Sequence, residues 1–347
     1  MLAYKKIVDQ LIQIRKSDAP VIAACVYGSQ VQGTATDNSD LDIYLITGGN
    51  ENIRGMYFID GIYVDYFEKS FITIMNEIEK FHKVGNSFYA SFMRNSEVIF
   101  DRTNIVAQLK NYQLQIEKLE IRDYGLTEKD YSTLAYYYSK FNQNRASDEP
   151  FFDYYYYIFL EQLRQKYHKI NHYSPMYAKD VPVLYQNESK ANTYCLNLPD
   201  STYRDFFLEC ISQEKCSRKK KEQQIEQAIQ FLGEDLEHEQ PKTTNPLRWQ
   251  SLNSYLISFF HESRQLINAS EESTFLYRYF SLVENIRNLN SLYQDNAISQ
   301  LDSSYLHQLI VSQDPILTYF VMQDFCNQSG IDSMTYEISY FQKKYRN

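Results

Sequence analysis

The chain has 347 residues, with 44 acidic against 35 basic side chains and a formal charge of −9; at about 100–200 residues per domain this leaves room for two or three domains with sizeable cores and excludes a bare peptide or a disordered tail. The negative sign speaks against a protein that grips a phosphate backbone along its length, so no extended nucleic-acid surface is expected, although a local basic groove is compatible with it. The apolar runs are too short and interrupted for a membrane span, the opening MLAYKKIVDQ lacks the apolar stretch of a signal peptide, and the scattered Cys25, Cys195, Cys210, Cys216 and Cys326 form no CxxC pair. The expectation is therefore a soluble cytoplasmic protein with no membrane partner, no disulfide framework and no zinc site.

Along the chain, Leu2, Ile7, Leu11 and Ile14 recur at near-helical spacing and Pro20 stops the pattern, which predicts an amphipathic opening helix over 2–16. VIAACVY (21–27) has strand length and ends at Gly28-Ser29; LDIYLI (41–46) is a second apolar run, closed by Gly48-Gly49. MYFI and IYVDYF flank Asp60-Gly61, a dipeptide suited to a two-residue hairpin turn, so they read as antiparallel neighbours. FITIMNEIEKFHKV (71–84) returns to helical spacing and EVIFD (97–101) reads as a last short strand. Beyond residue 105 the pattern changes to long, Tyr-rich, Gly-poor segments such as FFDYYYYIFLEQLRQKYHKI and FLYRYFSLVENIRNL, which predict helices packed on one another. The polar, proline-bearing stretch 233–246 is the expected linker. The fold class is thus α+β: a small mixed-sheet domain over 1–105, a helical domain over 106–235, and a C-terminal helical domain over 246–347. The basic run Arg218 to Lys221 reads as a solvated helix face.

One segment carries chemistry. Val26-Tyr27-Gly28-Ser29 is followed after ten residues by Asp40-Leu41-Asp42-Ile43, and later by Val64-Asp65-Tyr66. Residues two apart on a strand point to the same face, so Asp40 and Asp42 project together. Asp65 has apolar neighbours on both sides, as befits a polar residue presented from a buried strand. Three like charges at one place repel unless a divalent metal or protons compensate, and magnesium is the natural resolution. Gly28-Ser29 follows a strand and precedes a short helix-like stretch; there a missing side chain lets backbone N–H groups approach phosphate oxygens and the Ser29 hydroxyl adds a donor. Gly33 would keep that turn close.

YGSQVQGTATDNSDLDIYLI followed by YVDYF resembles the Gly-Ser, Asp-x-Asp, Asp signature of the DNA polymerase β nucleotidyltransferase superfamily, particularly its minimal and antibiotic-modifying (aminoglycoside, lincosamide) members. The resemblance covers roughly residues 1–105. It implies a two-metal transfer of a nucleoside monophosphate from ATP or another NTP to an acceptor hydroxyl, with release of pyrophosphate. Gly28, Ser29 and Gly33 would hold the triphosphate, Asp40 and Asp42 would bridge two Mg²⁺ ions, and Asp65 would complete the ion that activates the acceptor oxygen. Related sequences often carry Arg near the Gly-Ser turn, whereas this chain has Gln30 and Gln32, so the triphosphate charge must be met elsewhere, by Arg94 or by a cation of the helical part.

In related antibiotic nucleotidyltransferases a helical domain supplies the acceptor pocket and often a glutamate base. Glu161 is the corresponding candidate, with Arg164 and Lys166 close by on the same helix; the plainer account is a salt-bridged surface face. Asp148, Glu149 and Asp153 read either as an acidic greeting for a cationic acceptor or as acids at a helix N-terminus. His168 and His172, four apart, would suit a metal pair on a helix but lack a third ligand nearby in sequence and read as structural or surface residues; the Tyr run 154–157 reads as core packing, with one or two rings able to stack on a base or sugar. The leading reading is an enzyme transferring AMP to a small hydroxylated, aminoglycoside-like molecule. The same spacing also matches enzymes that modify a protein or a tRNA, and a non-catalytic nucleotide-binding module would be marked by a lost metal ligand, of which there is none.

Overall fold

A computed structural model describes residues 2–232, excepting 16, 34, 36–38, 51, 84–85, 120–127, 172, 177, 179 and 213–215, and then 262–263, 265–267, 273–294, 303–318 and 321. The expected linker 233–246, His172 and Cys326 lie outside the described residues. The chain divides into two compact units, Met1–Tyr124 with Ser189–Asn197, and Gly125–Glu188 with Leu198–Asn347. Among the described residues no helix is long and apolar enough to cross a membrane.

The first unit is built on a five-stranded mixed sheet. Its strands are β1 (Val21–Tyr27), β2 (Leu41–Thr47), β3 (Asn52–Ile59), β4 (Ile62–Ser70) and β5 (Glu97–Asp101), in the spatial order β3-β4-β2-β1-β5. Only the β2–β4 pair is parallel; β1–β2, β1–β5 and β3–β4 are antiparallel. Asp60 and Gly61 both take positive φ (49° and 86°), the requirement of the tight hairpin turn expected there. Because β1 and β2 are apolar on both faces, the sheet can be covered on both. On one face α1 (Leu2–Ile14) lays Ile7, Val8 and Leu11 against Ala24, Val26, Ile43, Leu45 and Val64. On the other, α3 (Phe71–Lys83), α4 (Phe88–Asn95) and α5 (Ile105–Ile116) cover Ala23, Cys25, Tyr44 and Ile46. A register irregularity between Val21 and Ala23 puts Val21 on the α1 face beside Ala24. The short α2 (Ser29–Gln32) follows β1 directly. The unit runs past the expected boundary at 105, because α5 packs on β1, β5, α3 and α4.

The second unit is helical. It contains α6 (Glu128–Gln143), α7 (Glu149–Ile170), α8 (Val181–Gln186), the first residue of α9 (Glu188–Thr193), α10 (Ser201–Ile211), α11 (Arg218–Leu232), α12 (Phe275–Gln294) and α13 (Ser303–Ser312). The remainder of α9 belongs to the first unit. The described helices after residue 246, α12 and α13, pack on α7 within this unit. That central helix is buried over most of its surface: Tyr154, Tyr156, Tyr157, Phe159 and Leu163 are all enclosed, while Gln165 is exposed. A phenol can be buried only if its hydroxyl finds a partner. Tyr156 donates to the Gln224 Oε1 atom (2.7 Å), and Tyr137 and Tyr154 both donate to Glu284, which Arg287 also holds.

Two surface expectations are corrected here. The basic run is only partly solvated: Lys221 is buried against Asp153 (2.7 Å), and Arg218 donates to the carbonyls of Arg145 and Ser147 (2.8 and 2.7 Å) while stacking on Phe152. Of the acidic trio, Asp148 sits at the N-cap of α7, Glu149 in its first turn, and Asp153 inside the core with Lys221. An opposite charge buried alongside offsets part of the desolvation cost that a lone buried charge would carry.

Candidate metal centre

The sheet register assembles the site. Tyr27 of β1 lies opposite Asp42 of β2, Asp42 opposite Asp65 of β4, and Asp65 opposite Met56 of β3. Partners in register share a face, so the row Tyr27-Asp42-Asp65-Met56 crosses four strands on the side covered by α3, α4 and α5. Asp40 precedes β2 by one residue. Carboxylate oxygens of Asp40, Asp42 and Asp65 lie within 4.8 Å of one another, with Asp65 buried and the other two half-buried. The triad read from the motif is therefore one constellation in space. An all-oxygen, all-carboxylate donor set suits a hard divalent cation such as Mg²⁺.

Gly28 closes the site from the side of β1. It takes φ 77°, and a Cβ built on it would stand 2.0 Å from Oδ2 of Asp42. Only a residue without a side chain lets the turn lie this close to the carboxylate. Ser29 opens α2, and Gly33 ends it in the left-handed conformation (φ 69°), its N–H donating to the Ser29 carbonyl. Gln30 reaches the Ser39 carbonyl with its side-chain amide (3.5 Å), linking this turn to the segment that carries Asp40. Tyr27 lies beneath the carboxylates. Burial, and after it the charges of Asp42 and Asp65, push its phenol well above the ordinary range, so it stays neutral and adds no fourth charge.

One cation at this site escaped the reading of the sequence. Arg54 of β3 forks onto Asp65, with Nε 3.2 Å from Oδ1 and a terminal nitrogen 2.6 Å from Oδ2, and its guanidinium lies over the Phe67 ring at 4.9 Å. The signal was the hairpin. With the turn at Asp60-Gly61, counting outward pairs Arg54 with Phe67 and leaves it diagonal to Asp65.

The two remaining candidates have partners of their own. Arg94, in the last turn of α4, pairs with Glu117 (2.9 Å) and donates to the Cys195 sulfur (3.0 Å). Glu161 lies in the interior of the helical unit, where its carboxylate accepts from Arg164 through two nitrogens (2.8 and 2.7 Å), from Gln165 (2.8 Å) and from the Tyr277 hydroxyl. It is a buried ion pair, not the salt-bridged surface face that the plainer reading of its sequence context gave.

Residues 9–105 match the family described as polymerase beta, nucleotidyltransferase, which supports the superfamily read from the motif. No curated protein matches the chain. A solved structure of a nucleotidyltransferase-like protein from Exiguobacterium sibiricum 255-15 is similar at 14% identity, over 85% of this chain and 92% of that chain, with a TM-score of 0.33.

Proposed function

We propose that this protein is a Mg²⁺-dependent nucleotidyltransferase that moves a nucleoside monophosphate, AMP from ATP, onto a hydroxyl of a small aminoglycoside-like acceptor and releases pyrophosphate. The observation that carries this reading is the convergence of Asp40, Asp42 and Asp65 within 4.8 Å beside the Gly28-Ser29 turn. Asp40, Asp42 and Asp65 would hold two Mg²⁺ ions, which when bound supply charge neutralisation at the α-phosphoryl group and a more acidic acceptor hydroxyl.

The chain's own residues do the rest. The glycine at 28 exposes its backbone beside the triad, and the Ser29 hydroxyl stands ready to donate to a phosphate oxygen. Asp42, pressed by Gly28 from one side and registered with Tyr27 and Asp65 on the others, has little freedom to turn away. Such positioning matters for in-line displacement, in which the acceptor oxygen bonds to the α-phosphorus as the bond to the bridging oxygen breaks. The net charge of −9 favours a cationic acceptor through long-range attraction.

The direct test incubates the purified full chain with Mg²⁺, each labelled NTP and a panel of aminoglycosides, and follows pyrophosphate release and label transfer. Transfer to a panel member is expected, with Asp42→Asn lowering the rate by at least about 100-fold, since even residues behind a metal ligand cost 10–100-fold. No transfer to any small acceptor overturns the small-molecule reading. Labelling of proteins or tRNA instead, dependent on Asp40 and Asp42, replaces it with a macromolecular target.

A further inference from the structure

Three carboxylates within 4.8 Å repel one another, yet they are assembled here with one cation already engaged, the guanidinium of Arg54. Building on the nucleotidyltransferase reading, we propose that Arg54 is an exchangeable counter-ion of the metal centre: it occupies Asp65 while no divalent ion is bound, and a divalent ion reaching Asp65 must displace it.

The geometry is that of an occupant. Both oxygens of Asp65 accept from Arg54, so a metal that reaches either oxygen meets one already bonded to the guanidinium. A guanidinium left in place would share the Asp65 carboxylate with the incoming ion, and like charges held on one carboxylate repel. The residue also has a way out. Its side chain is 18% exposed against 6% for Asp65, and it belongs to β3, the edge strand of the sheet. Its stack on Phe67 orients it without enclosing it. The neighbouring cation on the same ring, Lys69, is differently placed: both oxygens of Glu77 hold it (2.8 and 2.6 Å), and it has no bond to the triad among the described residues. A displaced Arg54 stands beside the site at the moment a triphosphate brings negative charge to it. Free divalent ions should then bind poorly, and ions arriving with a nucleotide should bind well, because the nucleotide compensates the guanidinium that the metal releases.

The test uses the full-length protein and Mn²⁺ alone as probe, titrated by electron paramagnetic resonance and by calorimetry, without any turnover. In the absence of nucleotide, Arg54→Gln should bind Mn²⁺ about 10-fold more tightly than the wild type, the equivalent of about 1.4 kcal/mol. A nonhydrolysable ATP analogue should narrow the difference. Arg54→Lys, which keeps the charge and loses the fork, should fall between the two and serves should the Gln variant fold poorly. Equal or weaker Mn²⁺ affinity in both variants overturns the exchange alone. No Mn²⁺ binding that Asp42→Asn removes, in any of these proteins, overturns the metal-centre reading together with it.

Discussion

Gly28 shows how little freedom the site leaves at a single residue. A methyl group there would meet the Asp42 carboxylate at 2.0 Å, and the backbone φ of 77° disfavours any L side chain as well. Gly33 makes a useful contrast, because it has a similar φ of 69° but nothing within 4 Å of a built Cβ. Both Gly→Ala changes should therefore cost about 1–2 kcal/mol in stability from the backbone alone. Only Gly28→Ala should also displace Asp42, weakening Mn²⁺ binding and lowering nucleotidyl transfer by about 100-fold or more. Denaturant melts and Mn²⁺ titrations of the two variants, side by side, check this. A Gly28→Ala protein that binds Mn²⁺ like the wild type would show that the carboxylate can give way at no cost.

Among the elements, α7 is where charged and polar groups are most deeply committed. His168 is enclosed there, with Nδ1 donating to the Ser174 carbonyl (2.8 Å), so Nε2 is left to accept from the Tyr185 hydroxyl. The imidazole is satisfied in its neutral form. Burial, and after it the Arg164 charge, lowers its pKa from 6.5 to about 3. In the unfolded chain the ring titrates near 6.5, so between pH 6.5 and 3 the unfolded state binds a proton that the native state refuses. The contribution is intact above pH 6.5 and is lost progressively below it, by about 2 kcal/mol at pH 5. Chemical denaturation at pH 7.5 and 5 should show this loss, and His168→Gln should show a flatter dependence on pH. The strands and most long helices were legible in the sequence because apolar periodicity and turn residues report them directly; β1 and β5 begin and end where their runs do. Helix α4 was not read, since its eight residues make barely two turns and repeat the buried spacing of Tyr89, Phe92 and Met93 only once. Burial of Glu161, Lys221 and Arg164 was not legible either. Their standing as core residues rests on partners such as Tyr277 and Asp153, 116 and 68 positions away, and a Tyr-rich helix looks the same in sequence whether its phenols meet water or buried carboxylates. The triad was legible because Asp40 and Asp42 flank the start of one apolar run and Asp65 sits inside another; Arg54 needed the hairpin register counted out in full.

For the whole molecule, the unexpected feature is the path of the chain. Residues 189–197 return to the first unit although their flanks belong to the second. There, Asn95 donates to the Thr193 carbonyl (2.7 Å), Ser87 to the Tyr194 carbonyl (3.4 Å), and Arg94 to the Cys195 sulfur, while Cys195 itself takes a positive φ of 56°. Arg94, expected at the triphosphate, thus works as a clasp for this segment. Asn95→Ala should raise amide exchange of residues 193–197 by about 5- to 10-fold, equivalent to losing one hydrogen bond of about 1 kcal/mol, and leave β1 and β2 unchanged. Exchange read by mass spectrometry checks it, and unaltered protection of 193–197 would mean that the segment is held by something else.

That path bears on how such a protein could be inherited in pieces. A catalytic domain joined to its neighbour at a single point can be exchanged by one recombination event. Here the first unit is written in two separated stretches, so a swap of helical partners would need junctions near 124, 188 and 197 together. A front half copied alone would leave Asn95 and the Arg94 clasp without the segment they hold.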